Sequence, residues 1–152
     1  MAGTSSKETS DVIDAIVSDH ERIKGLLSDV SDARDGSRRE DAFDELARVI
    51  AMHEAAEQAI VHPEMEQLDD AVADERLEEE TKGDELLERL RTMSVEDPAF
   101  KALFSKFSDA VLRHAEHEEK EEHPKLRAGL DPERLAEMAD EFIAAEDDAD
   151  VR

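Results

Sequence analysis

The sequence of this 152-residue chain predicts an all-α protein, an up-down-up-down four-helix bundle with a short additional C-terminal helix. Three observations support this fold class. Apolar residues recur at intervals of three and four along four long segments, which is the pattern of an amphipathic helix. No segment alternates between apolar and polar residues as a strand does. The connections are short, as they are between antiparallel neighbours in a bundle.

The first predicted helix begins at Ser10, a favourable N-cap, after a small and polar leader of residues 1–9 that we expect to be flexible. Its inner face steps by three and four residues through Ile13, Ile16, His20, Ile23, Leu27 and Val30. His20 therefore lies on a face that is otherwise apolar. The polar stretch DARDGSRR interrupts the pattern and predicts the first connection.

The second helix is predicted from about Glu40 to Val61. Its inner face carries Leu46, Ile50, His53, Glu57 and Ile60. Two polar residues, His53 and Glu57, thus occupy core positions in the helical pattern. We expect Pro63 to end this helix, because proline disfavours the helical conformation in the residue before it.

The third helix is expected from about Ala71 to Met93, with four leucines as its apolar anchors. Asp97 and Pro98 form the start signal of the fourth helix. Its inner face carries Phe104, Phe107, Val111, His114 and Glu118. Pro124 is expected to close this helix as Pro63 closes the second one.

Asp131 and Pro132 repeat the start signal for a short fifth helix. Its apolar side consists of Leu135, Met138 and Phe142. The chain is long enough to bury a single core without cross-links. We therefore expect residues 10–146 to form one bundle domain, followed by a frayed tail of residues 147–152.

The composition restricts the partners of the protein. With 43 acidic and 19 basic residues the formal net charge is −24, which repels nucleic acid and anionic membranes and attracts cations. The chain has no cysteine, which suits a reducing compartment. Neither a secretion signal nor a run of transmembrane length is recognisable, so we expect a cytoplasmic protein.

Two stretches that lie sixty-one residues apart share one template. HEAAEQAIVHP begins at His53 and HAEHEEKEEHP begins at His114. Each has a glutamate four residues after the first histidine, a second histidine five residues later, and then a proline. The repetition predicts two helical hairpins related by a pseudo-two-fold axis.

Three helices therefore bring histidines and glutamates to their inner faces: His20, the pair His53 and Glu57, and the pair His114 and Glu118. A charged glutamate in a core costs several kcal/mol unless it is paired or binds a cation. A separation of four residues places both members of each pair on one helix face, where they can share a metal. Imidazole and carboxylate together favour iron, manganese or zinc over calcium or magnesium. Two glutamates that can bridge favour a two-metal centre.

The alternative is that the histidines are ordinary core residues in a metal-free bundle, but duplicated His-Glu pairs on separate helices favour the metal site. Three further histidines carry a weaker signal. His62 and His123 precede the prolines, where they can cap carbonyl groups or interact with the helix dipole. His117 is three residues from His114 and in principle chelates zinc with it, but it points away from the inner face.

The sequence resembles the hemerythrin-like family, the HHE cation-binding domain. The resemblance rests on DHERIKGLL at residues 19–27, on both His-to-Pro repeats, and on the closing HPKLRAGLDPERLAEMADEF. It implies a four-helix bundle that holds a non-haem di-iron centre. Carried over to this chain, it implies the following ligands: His20 and His53 on one iron, Glu57 and Glu118 as bridges, and His114 on the second iron.

The third helix departs from the family pattern, because its sequence LEEETKGDELLERL lacks the expected histidine. Counting back from Leu86 and Leu87 puts the missing ligand at Thr81 or Glu80. Glu80 can substitute as an oxygen ligand. Otherwise water fills the position, or the site holds one metal only.

The resemblance implies a protein that handles O2, peroxide or nitric oxide at an open coordination position, with enzymatic consumption of peroxide or nitric oxide as one form of this function. The lost histidine disfavours reversible O2 carriage more than the other two. A non-catalytic iron sensor or storage module and a metal-free helical interaction protein remain the alternatives. Neither a nucleophilic triad nor a phosphate-binding glycine loop is present to support a hydrolase or kinase. The sequence identifies no protein partner.

Overall fold

The computed structural model describes residues 10–150, and within this range the chain is helical apart from short connections. The predicted leader, residues 1–9, lies outside the described residues. The described residues form seven α-helical segments: α1 (Val12–Asp32), α2 (Gly36–Ala56), α3 (His62–Leu68), α4 (Asp70–Arg91), α5 (Pro98–His117), α6 (His123–Gly129) and α7 (Pro132–Asp150). Two π-helical turns, Glu57–Val61 and Glu118–Glu122, join α2 to α3 and α5 to α6.

The segments assemble as the predicted bundle. The first rod is α1, the second is α2 with its π-helical turn and α3, the third is α4, and the fourth is α5 with its π-helical turn and α6. The rods α1 and α2 form one hairpin, and α4 and α5 form the other. The additional helix α7 packs against both α1 and α2. The predicted all-α class is confirmed, and no described helix is long and apolar enough to cross a membrane.

Aspartates start the helices. Asp11, and not Ser10 as the sequence indicated, is the N-cap of α1. Its carboxylate accepts from the Asp14 backbone N–H at 3.0 Å, and the Asp14 carboxylate accepts from the N–H of Asp11. Asp35 caps α2 by accepting from the backbone N–H of Arg38 at 2.8 Å, so this helix begins before the expected Glu40. Each such cap satisfies a backbone donor that the first helical turn leaves free.

The expectation that Pro63 and Pro124 end their helices is wrong. Immediately before each proline the backbone N–H of a histidine bonds five residues back, from His62 to Glu57 and from His123 to Glu118. The wider turn shifts the hydrogen-bond ladder by one residue, so the missing proline N–H is accommodated without a break in the rod. His62 and His123 therefore lie within continuous rods and not at helix ends.

The fifth predicted helix is longer than expected. It spans Pro132–Asp150, so residues 147–150 of the predicted frayed tail are helical. The end of the helix is held to the bundle by Arg48, whose Nη1 donates to Asp150 Oδ1 at 2.7 Å. Residues 151–152 lie outside the described range.

A layer of polar side chains, the polar layer, divides the core into two apolar clusters. It contains His20, His53, Glu57, Glu80, His114 and Glu118. Along α1, Ile16 belongs to one cluster, His20 to the layer, and Ile23 to the other cluster. Along α2 the order is reversed, with Ile50 in the cluster of Ile23 and His53 in the layer. The cluster of Ile16 also contains Val12, Val61, Met65, Leu126, Met138 and Phe142. Helix α7 therefore completes the core on one side of the polar layer.

We predict that Phe142→Ala lowers the free energy of unfolding by about 3–5 kcal/mol, because the ring is fully buried and its loss leaves a cavity. The matched control is the adjacent Ile143→Ala, whose side chain is half exposed and whose loss should change stability by about 0.5 kcal/mol or less. Urea unfolding measures both. Equal effects of the two substitutions would show that α7 does not complete the core.

Candidate metal centre

The polar layer contains all six residues that the sequence singled out as metal ligands. They come from four rods of the bundle: His20, His53, Glu57, Glu80, His114 and Glu118. Glu118 is the most buried with 1% exposure, and only His114 exceeds 10%, with 15% of its side chain exposed. Five of the six came from the helical pattern and Glu80 came from the family resemblance. The pattern did not predict that Arg76 and Glu122 are buried as well.

The ligand-type atoms of these residues form two overlapping groups in which all atoms lie within 4.8 Å of one another. The first contains His20, His53 and Glu118, and the second contains Glu57, Glu80, His114 and Glu118. Glu118 belongs to both groups because its two oxygens face different imidazoles. Oε1 lies 2.9 Å from His20 Nε2, and Oε2 lies 3.4 Å from His114 Nε2. This is the disposition of a bridging carboxylate.

Each of the three imidazoles is fixed on its other nitrogen by a carboxylate outside the layer. His20 Nδ1 pairs with Glu119 at 2.7 Å, and His53 Nδ1 pairs with Asp19 at 2.7 Å. Likewise, His114 Nδ1 lies 2.9 Å from Glu79. With Nδ1 paired to a carboxylate, the Nε2 of each ring is directed at the cluster, which is how metal-binding histidines are oriented.

Sequence reasoning missed these three outer carboxylates. A signal was nevertheless present, because each one is the chain neighbour of a residue in the layer. Asp19 precedes His20, Glu79 precedes Glu80, and Glu119 follows Glu118. In each case the outer carboxylate holds an imidazole from a different helix, so the contacts cross-link the rods.

Four ligand-type atoms of the layer are buried and find no hydrogen-bond partner among the described residues. They are His53 Nε2, both carboxylate oxygens of Glu57, and His114 Nε2. His53 Nε2 and Glu57 Oε1 are 3.0 Å apart but lack hydrogen-bond geometry. Each buried polar atom left unpaired costs about 1–3 kcal/mol. A cation bound by imidazole and carboxylate would satisfy all four, so the residues present fit a transition metal.

The ionisation of the layer is strongly coupled in the absence of metal. Burial and the charge of Glu118 hold the pKa of Glu57 well above its usual value. Burial disfavours the charged imidazoles, but several carboxylates together outweigh it: Glu57, Asp19 and Glu118 raise the pKa of His53, and Glu118, Glu79 and Glu80 raise that of His114. Burial also opposes ionisation of Glu118, yet the charge of His114 and the hydrogen bonds to Glu118 together hold its pKa well below its usual value. Bound protons thus supply the positive charge that a bound cation would otherwise supply to the layer.

The sequence left two candidates on α4 for the missing ligand, Glu80 and Thr81, and the structure distinguishes between them. Glu80 is buried, with Oε2 3.5 Å from His114 Nε2, and its Oε1 accepts from the Gln58 amide at 3.0 Å. Thr81 is exposed, and its hydroxyl donates to the Leu77 carbonyl at 3.0 Å. Of the two, only Glu80 can contribute an atom to the cluster.

The other three histidines lie outside both groups. His117 contacts Glu79, the carboxylate that also holds His114. His62 is partly exposed and lies 3.6 Å from Glu66. His123 is buried, its ring stacks on that of His20 with a centroid distance of 6.3 Å, and burial lowers its pKa to about 4, so it is neutral near pH 7. It acts as a core aromatic ring and not as a helix cap.

Comparison with known proteins bears on this cluster. The family model of the hemerythrin HHE cation-binding domain matches residues 11–126, a range that includes all six residues of the layer. Over 142 residues, 93% of the chain, the sequence is 25% identical to the DNA nickase of Nostoc sp. (strain PCC 7120 / SAG 25.82 / UTEX 2576). The match covers 40% of that protein, so the chain spans less than half of its length. No solved structure matches the chain. Because the family match covers most of the sequence, the chain belongs to the hemerythrin HHE cation-binding domain family.

Proposed function

We propose that this protein is a non-haem di-iron protein that would bind peroxide or nitric oxide at an open coordination position and reduce it with electrons from ferrous iron, which an external electron donor would restore. The observation that carries the proposal is the position of Glu118. Its two oxygens face His20 and His114, and the neighbouring atoms of His53 and Glu57 are buried without partners. A pair of metal ions bridged by carboxylates satisfies this arrangement.

The proposed ligands divide between two positions. His20 and His53 are terminal ligands of the first iron, and His114 and Glu80 are terminal ligands of the second. Glu57 and Glu118 bridge the two positions. Glu118 supports this assignment by belonging to both groups of ligand atoms, and Glu57 does so by lying 3.0 Å from His53 while grouping with His114 and Glu80.

Bound iron supplies an open coordination position and a change of oxidation state. The chain supplies the orientation of the ligands. Asp19, Glu79 and Glu119 hold the three imidazoles, and the apolar clusters on either side of the layer limit access of water to it. Such outer contacts are worth about 10–100-fold in metal affinity or activity.

The carboxylate of Glu80 favours reduction of peroxide or nitric oxide over reversible O2 carriage. A negatively charged oxygen donor stabilises an oxidised metal more than a neutral imidazole does. It therefore opposes the return to the reduced form that release of O2 requires. O2 carriage is the weaker candidate for this reason, although the same site would bind O2.

Storage or sensing of iron without turnover is the second candidate, and the acidic surface that attracts cations favours it. Elemental analysis with an optical spectrum on protein expressed in iron-replete medium identifies the metal and its number. Anaerobic consumption of nitric oxide and aerobic consumption of peroxide by the iron-loaded protein then separate the two candidates. Iron without turnover supports storage or sensing, and absence of metal supports a metal-free interaction protein.

The name of the Nostoc relative describes cleavage of DNA by a protein more than twice as long as the part matched. We propose that this chain does not share that activity. Its net charge of −24 repels the phosphate backbone, whereas proteins that bind DNA neutralise phosphates with basic side chains. Conversion of supercoiled plasmid to the open circular form by the iron-loaded protein would contradict this view.

We predict that His53→Ala and Glu57→Ala each lower bound iron to about half or less, because each removes a ligand from the centre. His62→Ala is the matched control, since His62 also lies in the second rod but is partly exposed and outside the cluster. Iron per chain after purification is the measurement. Normal iron content in both ligand variants would refute the ligand assignment.

We predict that ferrous iron binds in one tight and one weaker event, separated by about tenfold or more, because the second position has one imidazole fewer. Glu80→His should strengthen the weaker event. Thr81→His is the control, because Thr81 is exposed and its substitution should leave both events unchanged. An anaerobic titration measures both affinities. Two equally tight irons in the wild type would contradict the predicted inequality.

We predict that the iron-free protein loses stability as the pH rises from about 6.5 towards 9. His53 and His114 keep protons that the unfolded chain releases near pKa 6.5, so the folded state binds more protons and its stability falls with rising pH. Glu54 has the same sign, since burial raises its pKa to about 9. The lowered pKa values of Glu118 and His123 act only below this window.

In the iron-loaded protein these ligands are already deprotonated, so its stability should depend less on pH over the same range. Urea unfolding of both forms at several pH values measures the difference. Stability of the iron-free protein that rises with pH across this window would show that the layer is not protonated as described.

A further inference from the structure

A cavity of about 40 Å³ lies against the metal cluster. Its wall includes His20 and His53 of the proposed first iron position and Glu80 and His114 of the second. The apolar side chains of Ile23, Ile50, Phe107 and Val111 also line it. About 10–15 Å³ of such space holds one water molecule. The cavity therefore has room for a molecule of a few atoms.

Gly83 of α4 lines this cavity three residues after Glu80, which places both residues on one face of the helix. It is buried, yet a methyl group built on its Cα would meet nothing within 4 Å. Gly129 provides the contrast, because a methyl group there would collide with the Leu68 side chain. The space beside Gly83 is thus free.

None of the usual structural reasons for a glycine applies at this position. Gly83 lies in the interior of a 22-residue helix, where glycine is less favourable than alanine. No glycine of the described chain has a positive φ, so its backbone conformation is open to any residue. No neighbouring group approaches closely enough to exclude a side chain. The remaining consequence of glycine here is empty space next to the metal cluster.

We propose that Gly83 permits small ligands to bind at the centre, by keeping open a space beside the metal cluster that admits a molecule the size of nitric oxide or hydrogen peroxide. This inference rests on the proposed function. The absent side chain leaves room in the cavity that Glu80 and His114 also line, and the rest of the wall is mainly apolar.

The test uses Gly83→Ala and Gly83→Leu in the full-length, iron-loaded protein, with nitric oxide as the probe. Gly25→Ala and Gly25→Leu are matched controls. Gly25 also lies within a long helix where an added methyl group would meet nothing, but it is exposed on α1 and does not line the cavity. Nitric oxide suits the apolar wall because it is uncharged. An anaerobic optical titration of the ferrous protein gives its affinity, and iron content and melting temperature are measured for every variant.

We expect both alanine variants to melt about 1–4 °C higher than the wild type, because each replaces a helical glycine. Only the Gly83 variants should lose nitric oxide affinity, by about tenfold or more for Gly83→Leu and less for Gly83→Ala, with iron content unchanged. If Gly83→Leu does not fold, Gly83→Ala decides by the same comparison with Gly25→Ala.

Wild-type affinity in the Gly83 variants at normal iron content overturns the inference and leaves the proposed function standing. Loss of iron in the Gly83 variants also overturns it, because Gly83 would then serve the packing of the centre. A wild-type protein that holds no iron, or holds iron but binds no nitric oxide, overturns the proposed function and this inference with it.

Discussion

The layer of imidazoles and carboxylates across the middle of the bundle is the constraint on which the rest of the structure depends. It separates two apolar clusters that would otherwise form one continuous core. Glu57 and Glu118 lie side by side in it, and like charges at this depth cannot both ionise without compensation. A metal ion or a bound proton must therefore be present in every folded form of the protein. The buried carboxylates therefore require positive charge at the centre of the bundle.

The outer carboxylates connect the polar layer on one rod to the neighbouring rod. Asp19 extends from α1 to the second rod, Glu119 from the fourth rod to α1, and Glu79 from α4 to α5. Each holds an imidazole while its chain neighbour points into the layer. A rotation of the first, third or fourth rod would therefore displace a residue of the layer on its own rod and the support of an imidazole on another. These contacts between rods preorganise the imidazoles.

Five of the six residues of the layer were predictable because a helical period of 3.6 residues assigns each position to a face, whereas Glu80 was one of two candidates that the family resemblance offered. The outer carboxylates were not, because a residue next to an inward position lies at the boundary of the face, where its partner depends on the neighbouring helix. The continuation of the helices past Pro63 and Pro124 was not predicted, for a different reason. The rule that proline ends a helix assumes α-helical hydrogen bonds along the backbone, and the π-helical turns change this hydrogen-bond pattern just before each proline. The full length of α7 was not predicted because its last turn carries no large apolar residue and is instead bonded to Arg48.

The sixty-one-residue repeat makes the two halves of the protein alike except where the proposed chemistry takes place. Both halves provide a histidine, a glutamate four residues later, and a π-helical turn that begins at that glutamate. The halves differ in the rods that complete them, because α1 contributes an imidazole and α4 contributes the carboxylate of Glu80. The same rod α4 also carries Gly83 and its free space. In the proposed centre the two metal positions would therefore differ in their ligands, with an imidazole from α1 at one and a carboxylate from α4 at the other.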